Sequence, residues 1–236
     1  MKRLATALLL FCIAPFPALF GQEEEVEQEP RSAKNFFSHI FEDQKEIWSG
    51  PFKKDTWKQP QTYFFIGLSA ASFSLDGEPS TRLRENGDFD CFNRFFASDT
   101  SDIVLAVLPL GLAAAGELSG NRAFKEYGWK AGEAAVNAFI VSSLLKAVTQ
   151  RSRPHKGDTY GFWEGGNSFP SAHSTYAWAL AAVTAKHFSE KKWVAWIVYP
   201  VAGMVAFSRI TSGNHYFSDA VTGSALGFVI GHYVVK

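Results

Sequence analysis

Residues 193–207 read WVAWIVYPVAGMVAF, and residues 220–235 read AVTGSALGFVIGHYVV. Both stretches are apolar over lengths that exceed an ordinary strand, which favours helices. Four further apolar blocks precede them, at residues 63–75, 103–116, 131–149 and 174–185. Polar, turn-rich segments separate the blocks, and residues 76–102 form the longest interruption, which we expect to be a helical excursion over one end. The sequence therefore predicts an all-α fold, a compact bundle of about six core helices.

The N-terminal region divides into three segments. Residues 1–21 have a short basic start followed by an uncharged apolar run, as in a secretory signal peptide. Residues 22–34 are rich in glutamate and predict an acidic, flexible tether. Residues 35–48 carry apolar side chains at helical spacing, which predicts an amphipathic helix docked either on the domain or on a membrane surface. Residues 35–236 would then form a single helical domain.

The composition excludes several classes of protein. The chain has 236 residues, of which 47% are hydrophobic and 19% charged, so it is not a disordered chain. The 23 basic residues balance 23 acidic residues, which gives no support for nucleic-acid binding. Two cysteines are too few for a disulfide scaffold or a Cys-rich zinc site.

The apolar blocks leave the relation to the membrane open. A membrane span needs about 20 mostly apolar residues, and only the last two blocks come close to that length. Gly223, Gly227 and Gly231 form a ridge on the last predicted helix, which permits close helix contact in a membrane or in a soluble bundle. We expect an exported helical domain that is docked on or partly in a membrane, with a fully polytopic protein as the alternative.

Three short polar patterns interrupt the apolar blocks. Residues 146–154 read KAVTQRSRP, residues 170–173 read PSAH, and residues 208–219 read SRITSGNHYFSD. The first and third patterns place cations at the ends of apolar helices. There an arginine guanidinium can make two hydrogen bonds to an oxyanion, and a lysine ammonium can add a positive charge. The second places a serine hydroxyl at a helix start, where backbone N–H groups also face an anion. The patterns together predict a site for a tetrahedral oxyanion, most simply phosphate.

Two histidines in these patterns supply reactivity. His215 and Asp219 are four residues apart, so one helical turn can place the carboxylate on Nδ1 and leave Nε2 free to attack. His173 follows the serine pattern and can protonate a leaving oxygen. Three nearby cations would oppose a divalent ion, so we expect no metal at this site.

At residues 146–219 the chain resembles the type 2 phosphatidic acid phosphatase and vanadium haloperoxidase superfamily, whose core is also helical. The resemblance implies that His215 attacks phosphorus to form a phosphohistidine, that Asp219 orients His215, and that His173 acts as general acid and base. It implies that the phosphoryl oxygens are held by Lys146, Arg153, Ser171, the backbone N–H near Ala172, and Arg209. Ala172 stands where the family most often has glycine, and it would cost about 1–2 kcal/mol if that backbone needed a positive φ.

The resemblance implies a metal-independent phosphatase that acts on phosphomonoesters or pyrophosphates, with lipid phosphates as the expected substrates. A secreted acid phosphatase for soluble phosphomonoesters is one alternative. A vanadium-dependent haloperoxidase is another, and vanadate is a cofactor only in that case. The third alternative is a non-enzymatic, membrane-associated oxyanion-binding protein. The leader predicts export, with the protein in the periplasm or at an envelope membrane and its active site facing outward.

Overall fold

A computed structural model of the chain describes residues 34–156 and 161–235. The predicted signal peptide, and the predicted tether except for Lys34, lie outside these residues. The described chain is α-helical and contains no β-strand, which confirms the predicted all-α fold. The limits predicted for the single domain stay a prediction.

Nine α-helices make up the described part of the chain, joined in places by single 3₁₀ turns. They are α1 (Phe36–Ser49), α2 (Pro60–Ser72), α3 (Glu78–Arg84), α4 (Asp90–Phe96), α5 (Asp99–Leu118), α6 (Arg122–Thr149), α7 (Ala172–His187), α8 (Trp193–Thr211) and α9 (Phe217–Val234). Each of the six predicted apolar blocks lies within or largely within one long helix, and the predicted excursion over residues 76–102 contains α3 and α4. The bundle of about six core helices with an N-terminal helix is therefore confirmed.

The ends of α6 explain why this helix is longer than its apolar block. The side chain of Asn121 accepts a hydrogen bond from the backbone N–H of Phe124 at 3.1 Å, which starts the helix well before residue 131. At the other end, Gln150 adopts a left-handed conformation with φ 44° and stops the helix. That stop turns the chain immediately after Lys146 and into the first polar pattern.

The glycine ridge of α9 packs directly on the backbone of α7. A Cβ added at Gly227 would lie 2.2 Å from the carbonyl oxygen of Thr175. Added at Gly223 or Gly231, it would lie 2.5 Å from another carbonyl oxygen of the Ser171–Ala179 stretch. Only glycine permits this approach, and the contact fixes the start of α9 against the start of α7. The two ends that carry the second and third polar patterns are thereby held together.

Helix α1 docks on α6 through polar side chains. Nδ1 of His39 lies 3.2 Å from Oε1 of the fully buried Glu133. The amide of Asn137 donates to the buried carboxylate of Asp43 at 2.8 Å. Helix α1 therefore docks on the domain, one of the two placements that the sequence left open. Apolar contacts of Phe36 with Trp129 and of Ile47 with the core accompany the polar ones.

Two aromatic side chains of α1 point away from the bundle. Phe37 is 81% exposed and Phe41 is 74% exposed, although the helical spacing assigned both to the face that would dock. The reason is that α6 presents Glu133 and Asn137 to this helix, and buried polar groups need polar partners. Ile40 is the one hydrophobic side chain of α1 that is buried.

Two of the described helices, α6 and α8, are long and apolar enough to cross a membrane by length and composition. The expectation that the last two blocks come closest to a span is correct for α8 and wrong for α9. Helix α6 takes its place because it begins at Arg122, which gives it 28 residues.

Candidate active site

The three polar patterns meet at one end of α6, α7, α8 and α9. The segment after α6 folds back on the end of that helix, where the backbone N–H groups of Glu164 and Gly166 donate to the carbonyl of Gln150 at 3.0 and 2.9 Å. The backbone N–H of Ser171, before α7, donates to the carbonyl of Asp219 in α9 at 2.9 Å. These main-chain bonds join segments that are far apart in the sequence.

His215 and Asp219 form the buried centre of the site. Nδ1 of His215 lies 3.5 Å from Oδ2 of Asp219, and both side chains are almost fully inaccessible to solvent. The same Oδ2 accepts the backbone N–H of Tyr216 at 2.9 Å, so the carboxylate also caps α9. The predicted spacing thus brings His215 and Asp219 together, with Nδ1 facing the carboxylate and Nε2 on the opposite side of the ring.

Ser168 adds a hydroxyl to this pair. Its Oγ donates to Oδ2 of Asp219 at 2.5 Å and lies 3.4 Å from Nδ1 of His215. Ser168 is completely buried, and its backbone N–H donates to the carbonyl of Arg151 at 2.9 Å. A hydroxyl in this position restricts both the carboxylate and the imidazole to one arrangement.

The electrostatic surroundings keep His215 neutral and Asp219 ionised at neutral pH. Burial, together with the cations Lys146 and Arg209, lowers the pKa of His215 to about 4 against the opposing effect of Asp219. Burial alone would raise the pKa of Asp219. Its hydrogen bond and charge interaction with His215, the charge of Arg151 and the Ser168 hydroxyl together hold that pKa below its usual value. A neutral imidazole beside a carboxylate is the form in which a histidine is nucleophilic.

His173 and the predicted cations lie around the same point. Burial is the main cause that lowers the pKa of His173 to about 3, and the charges of Arg209, His215, Lys146 and Arg153 act in the same direction. Arg209 is buried in the last turn of α8, and its carbonyl accepts the backbone N–H of His215 at 3.0 Å. The structure therefore brings together the two histidines and the three cations that the sequence predicts.

Asn167 holds two of the cations in place. Nζ of Lys146 donates to the backbone carbonyl of Asn167 at 2.5 Å, and Nε of Arg153 donates to its side-chain oxygen at 2.9 Å. Both acceptors are neutral, so these contacts orient the side chains and leave their positive charge in place. Such an arrangement suits a site that receives an anion.

Ser171 and Ala172 begin α7, as the second pattern predicts. The hydroxyl of Ser171 accepts the backbone N–H of Ser174 at 3.5 Å as a long N-cap contact, and the residue is completely buried. Ala172 is the first residue of the helix and has no positive φ, so the conditional cost of alanine at this position does not arise. Among the described non-glycine residues, Gln150 and Trp163 have positive φ.

Sequence reasoning missed three buried polar residues of this site, Arg151, Ser168 and Asp76. Arg151 donates to Oδ1 of Asp219 at 2.7 Å and to Oδ2 of Asp76 at 2.7 Å. Its position in the RSRP stretch, two residues before Arg153, is a signal that was available. Asp76 gave no signal in the sequence, because it lies 142 residues before Ser218, the site residue to which it is hydrogen-bonded. Among the described residues, no group of three or more His, Cys, Asp or Glu side chains is arranged to hold a metal ion.

Comparison with known proteins agrees with this helical site. Residues 127–236 match the PAP2 superfamily, and this part of the chain carries all three polar patterns. The match begins within α6 and leaves α1 to α5 outside.

Two relatives come from Porphyromonas gingivalis. A lipid A 4'-phosphatase is 35% identical over 105 residues, which cover 41% of this chain and 44% of that protein. A lipid A 1-phosphatase is 35% identical over 66 residues, which cover 28% of this chain and 15% of that protein. The chain thus spans less than half the length of either relative. No solved structure matches the chain closely enough for comparison.

Proposed function

We propose that this protein is a metal-independent phosphatase that removes phosphate from phosphorylated lipids, as a phosphomonoester or a pyrophosphate, through a phosphohistidine at His215. The observation that carries the proposal is the buried His215–Asp219 pair, with Nδ1 3.5 Å from the carboxylate, among cations that also act on His173. An anion-binding site alone needs the cations but has no use for a neutral, oriented imidazole.

In the first step, Nε2 of His215 attacks phosphorus, the P–N bond forms, and the bond from phosphorus to the leaving oxygen breaks. His173 gives its proton to that oxygen, and the lipid leaves as an alcohol. Asp219 stabilises the positive charge that develops on the His215 ring. Lys146, Arg153 and Arg209 stabilise the charge on the phosphoryl oxygens, and the N–H groups at the start of α7 add to this effect.

In the second step, a water molecule attacks phosphorus while the now neutral His173 accepts a proton from it. The P–N bond breaks, inorganic phosphate forms, and the bonding electrons return to Nε2 of His215. His173 must be protonated before the first step, although burial and the nearby positive charges lower its pKa to about 3. The negative charge of a bound phosphate ester offsets the nearby cations and favours the protonated imidazole.

Two observations favour a lipid substrate. The relatives named above are phosphatases of lipid A, so we propose the phosphate groups of this class of glycolipid as substrates. The helices α5, α6 and α8 also expose large apolar side chains, as expected of a surface that contacts lipid. These side chains are Val104, Val107, Leu108, Leu110, Leu118, Phe139, Leu144, Val148, Trp193, Trp196, Ile197, Val201 and Met204.

We place the proposed enzyme at an envelope membrane with its site facing the periplasm. The predicted signal peptide supports export, and the apolar helices α6 and α8 support membrane association. The proposed location agrees with a lipid substrate whose phosphorylated headgroup lies at the membrane surface. A soluble acid phosphatase would instead prefer substrates without acyl chains.

The test is phosphate release by the purified full chain in the presence of a metal chelator. The substrates are lipid A, phosphatidic acid, an isoprenyl pyrophosphate and a soluble nucleotide. His215→Ala is the variant, and His232→Ala, near the opposite end of α9, is the matched control. A phosphohistidine, which is stable in base and labile in acid, is sought in wild type after brief mixing with substrate.

We expect release from lipids by wild type and His232→Ala, and none by His215→Ala. Preference for the nucleotide would support the secreted acid phosphatase alternative. No release from any substrate by folded protein would overturn the proposal. Bromide oxidation that depends on added vanadate would then support the haloperoxidase, and anion binding without turnover would support the non-enzymatic alternative.

A further inference from the structure

A buried ionic chain runs from the proposed active site into the part of the protein that lies outside the superfamily match. Nη1 of Arg151 donates to Oδ1 of Asp219 at 2.7 Å, and Nη2 of Arg151 donates to Oδ2 of Asp76 at 2.7 Å. The three side chains are nearly inaccessible to solvent. Asp76 follows the 3₁₀ turn Phe73–Leu75, after α2.

Asp76 also binds the first turn of α9. Its Oδ1 accepts the backbone N–H of Ser218 at 2.8 Å, and its Oδ2 accepts the Ser218 hydroxyl at 2.5 Å. The first N–H groups of a helix lack partners within the helix and favour a negative charge. Asp76 therefore holds the turn of α9 that also carries Asp219.

Three aromatic rings enclose the Arg151 guanidinium. Its central carbon lies 4.4 Å from the ring centre of Tyr216, 4.9 Å from that of Phe162 and 5.4 Å from that of Phe73. These rings exclude water, so the charges of Asp219, Arg151 and Asp76 act on one another with little screening. The rings and the two carboxylates together hold the guanidinium between Asp219 and Asp76.

The sum of charges gives Asp76 a specific role. Arg151 alone would cancel the charge of Asp219, and His215 would then face a neutral ion pair. With Asp76 present, the three side chains carry a net charge of −1, which opposes the positive charges of Lys146 and Arg209 that also act on His215. That charge stabilises the positive His215 ring that forms when Nε2 attacks.

We propose that Asp76 is a positioning residue of the reaction. It acts through Arg151 and Ser218 to keep Asp219 both oriented and effectively negative beside His215. The inference rests on the proposed phosphatase function. It assigns part of that function to the segment before α6, which the superfamily match does not cover.

The test compares Asp76→Asn with Asp88→Asn, a matched change at an exposed acid in the same part of the chain. We expect Asp76→Asn to lower kcat about 10-fold to 100-fold, as is typical when an outer partner of an active-site group is lost. KM should change little, because Asp76 lies behind Asp219 and away from the phosphoryl-binding cations. Asp88→Asn should match wild type in both constants.

The pH profile separates a charge effect from damage to the fold. Loss of the negative charge makes His215 harder to protonate, so the acid limb of kcat/KM should move to lower pH in Asp76→Asn. Asp76→Glu restores the charge and should return the limb toward its wild-type position. Thermal unfolding of each variant gives the folded fraction, and if Asp76→Asn does not fold, Asp76→Glu and Ser218→Ala carry the comparison.

A measurement without turnover separates this inference from the proposed function. ¹⁵N NMR of the histidine rings, assigned with His215→Ala, reports whether Nδ1 of His215 carries the proton. We expect Nδ1–H in wild type and Asp88→Asn and a smaller Nδ1–H population in Asp76→Asn. If wild type is inactive but Asp76→Asn still lowers the Nδ1–H population of His215, the phosphatase proposal is contradicted. The role of Asp76 in positioning His215 is supported in that case. An active wild type whose kcat, acid limb and NMR signals are unchanged by Asp76→Asn would overturn the role of Asp76.

Discussion

The contact between α7 and α9 makes Gly227→Ala a direct test of the packing that builds the site. The added Cβ would lie 2.2 Å from the carbonyl oxygen of Thr175, whereas real Cβ contacts are essentially never under 3.0 Å. The backbones must therefore separate by about 0.8 Å, the difference between these distances. The obstacle is backbone rather than the end of a flexible side chain, so the strain cannot be relieved by a rotamer change.

We expect this substitution to lower both stability and activity. Overpacking of this kind costs about 1–3 kcal/mol, and a loss of 2 kcal/mol lowers Tm by about 4–8 °C in a chain of this size. His173 lies in the first turn of α7 and Asp219 in the first turn of α9, so separating the helices also displaces the groups that act on phosphorus. A displacement of about 1 Å at such a site costs up to about 100-fold in rate.

Gly67→Ala in α2 is the matched control. No atom lies within 4 Å of a Cβ added at Gly67, and alanine within a helix is about 0.5–1 kcal/mol more favourable than glycine. Thermal unfolding and phosphate release are measured for both variants in one buffer. If Gly227→Ala unfolds at or above the temperature of Gly67→Ala and retains full activity, the close contact between α7 and α9 is refuted.

Two further predictions concern the buried pair at the centre of the site. Asp219→Asn should lower kcat about 10³-fold to 10⁴-fold with a small change in KM, as when the orienting carboxylate of a catalytic triad is lost. Steady-state kinetics at pH 7 measures this effect, and a loss in kcat of less than 10-fold would contradict the orienting role of Asp219. His215 should contribute a fall in the free energy of unfolding on the order of 3 kcal/mol between pH 7 and pH 4, because its pKa is about 4 in the folded protein and about 6.5 when unfolded. The unfolded chain therefore binds the proton first as pH falls, and denaturant titrations of His215→Ala should show a smaller pH dependence than those of wild type.

The fold was predictable because each long helix is also a long apolar block. Length and composition were enough to distinguish helices from strands at residues 193–207 and 220–235. The ends were less predictable, because caps decide them. Asn121 and Gln150 extend and stop α6 through backbone contacts that apolar periodicity does not record.

The orientation of α1 shows a limit of periodicity. The spacing of Phe37 and Phe41 predicts an apolar docking face, yet both side chains are exposed. The partner surface decides which side of a helix is buried, and here that surface carries Glu133 and Asn137. A sequence pattern identifies the two faces of a helix but not the neighbour that each face meets.

The sequence by itself determined the helical class, the three polar patterns, and the histidines and cations that meet in the candidate site. It could do so because the residues of each pattern are close in the chain and their chemistry follows from residue type and spacing. Tertiary structure alone decided that Ser168 contacts both His215 and Asp219, and that Asp76 reaches the same carboxylate through Arg151. These contacts depend on how α2 and the segment after α6 pack around α9, and packing between distant segments leaves no local pattern in the sequence.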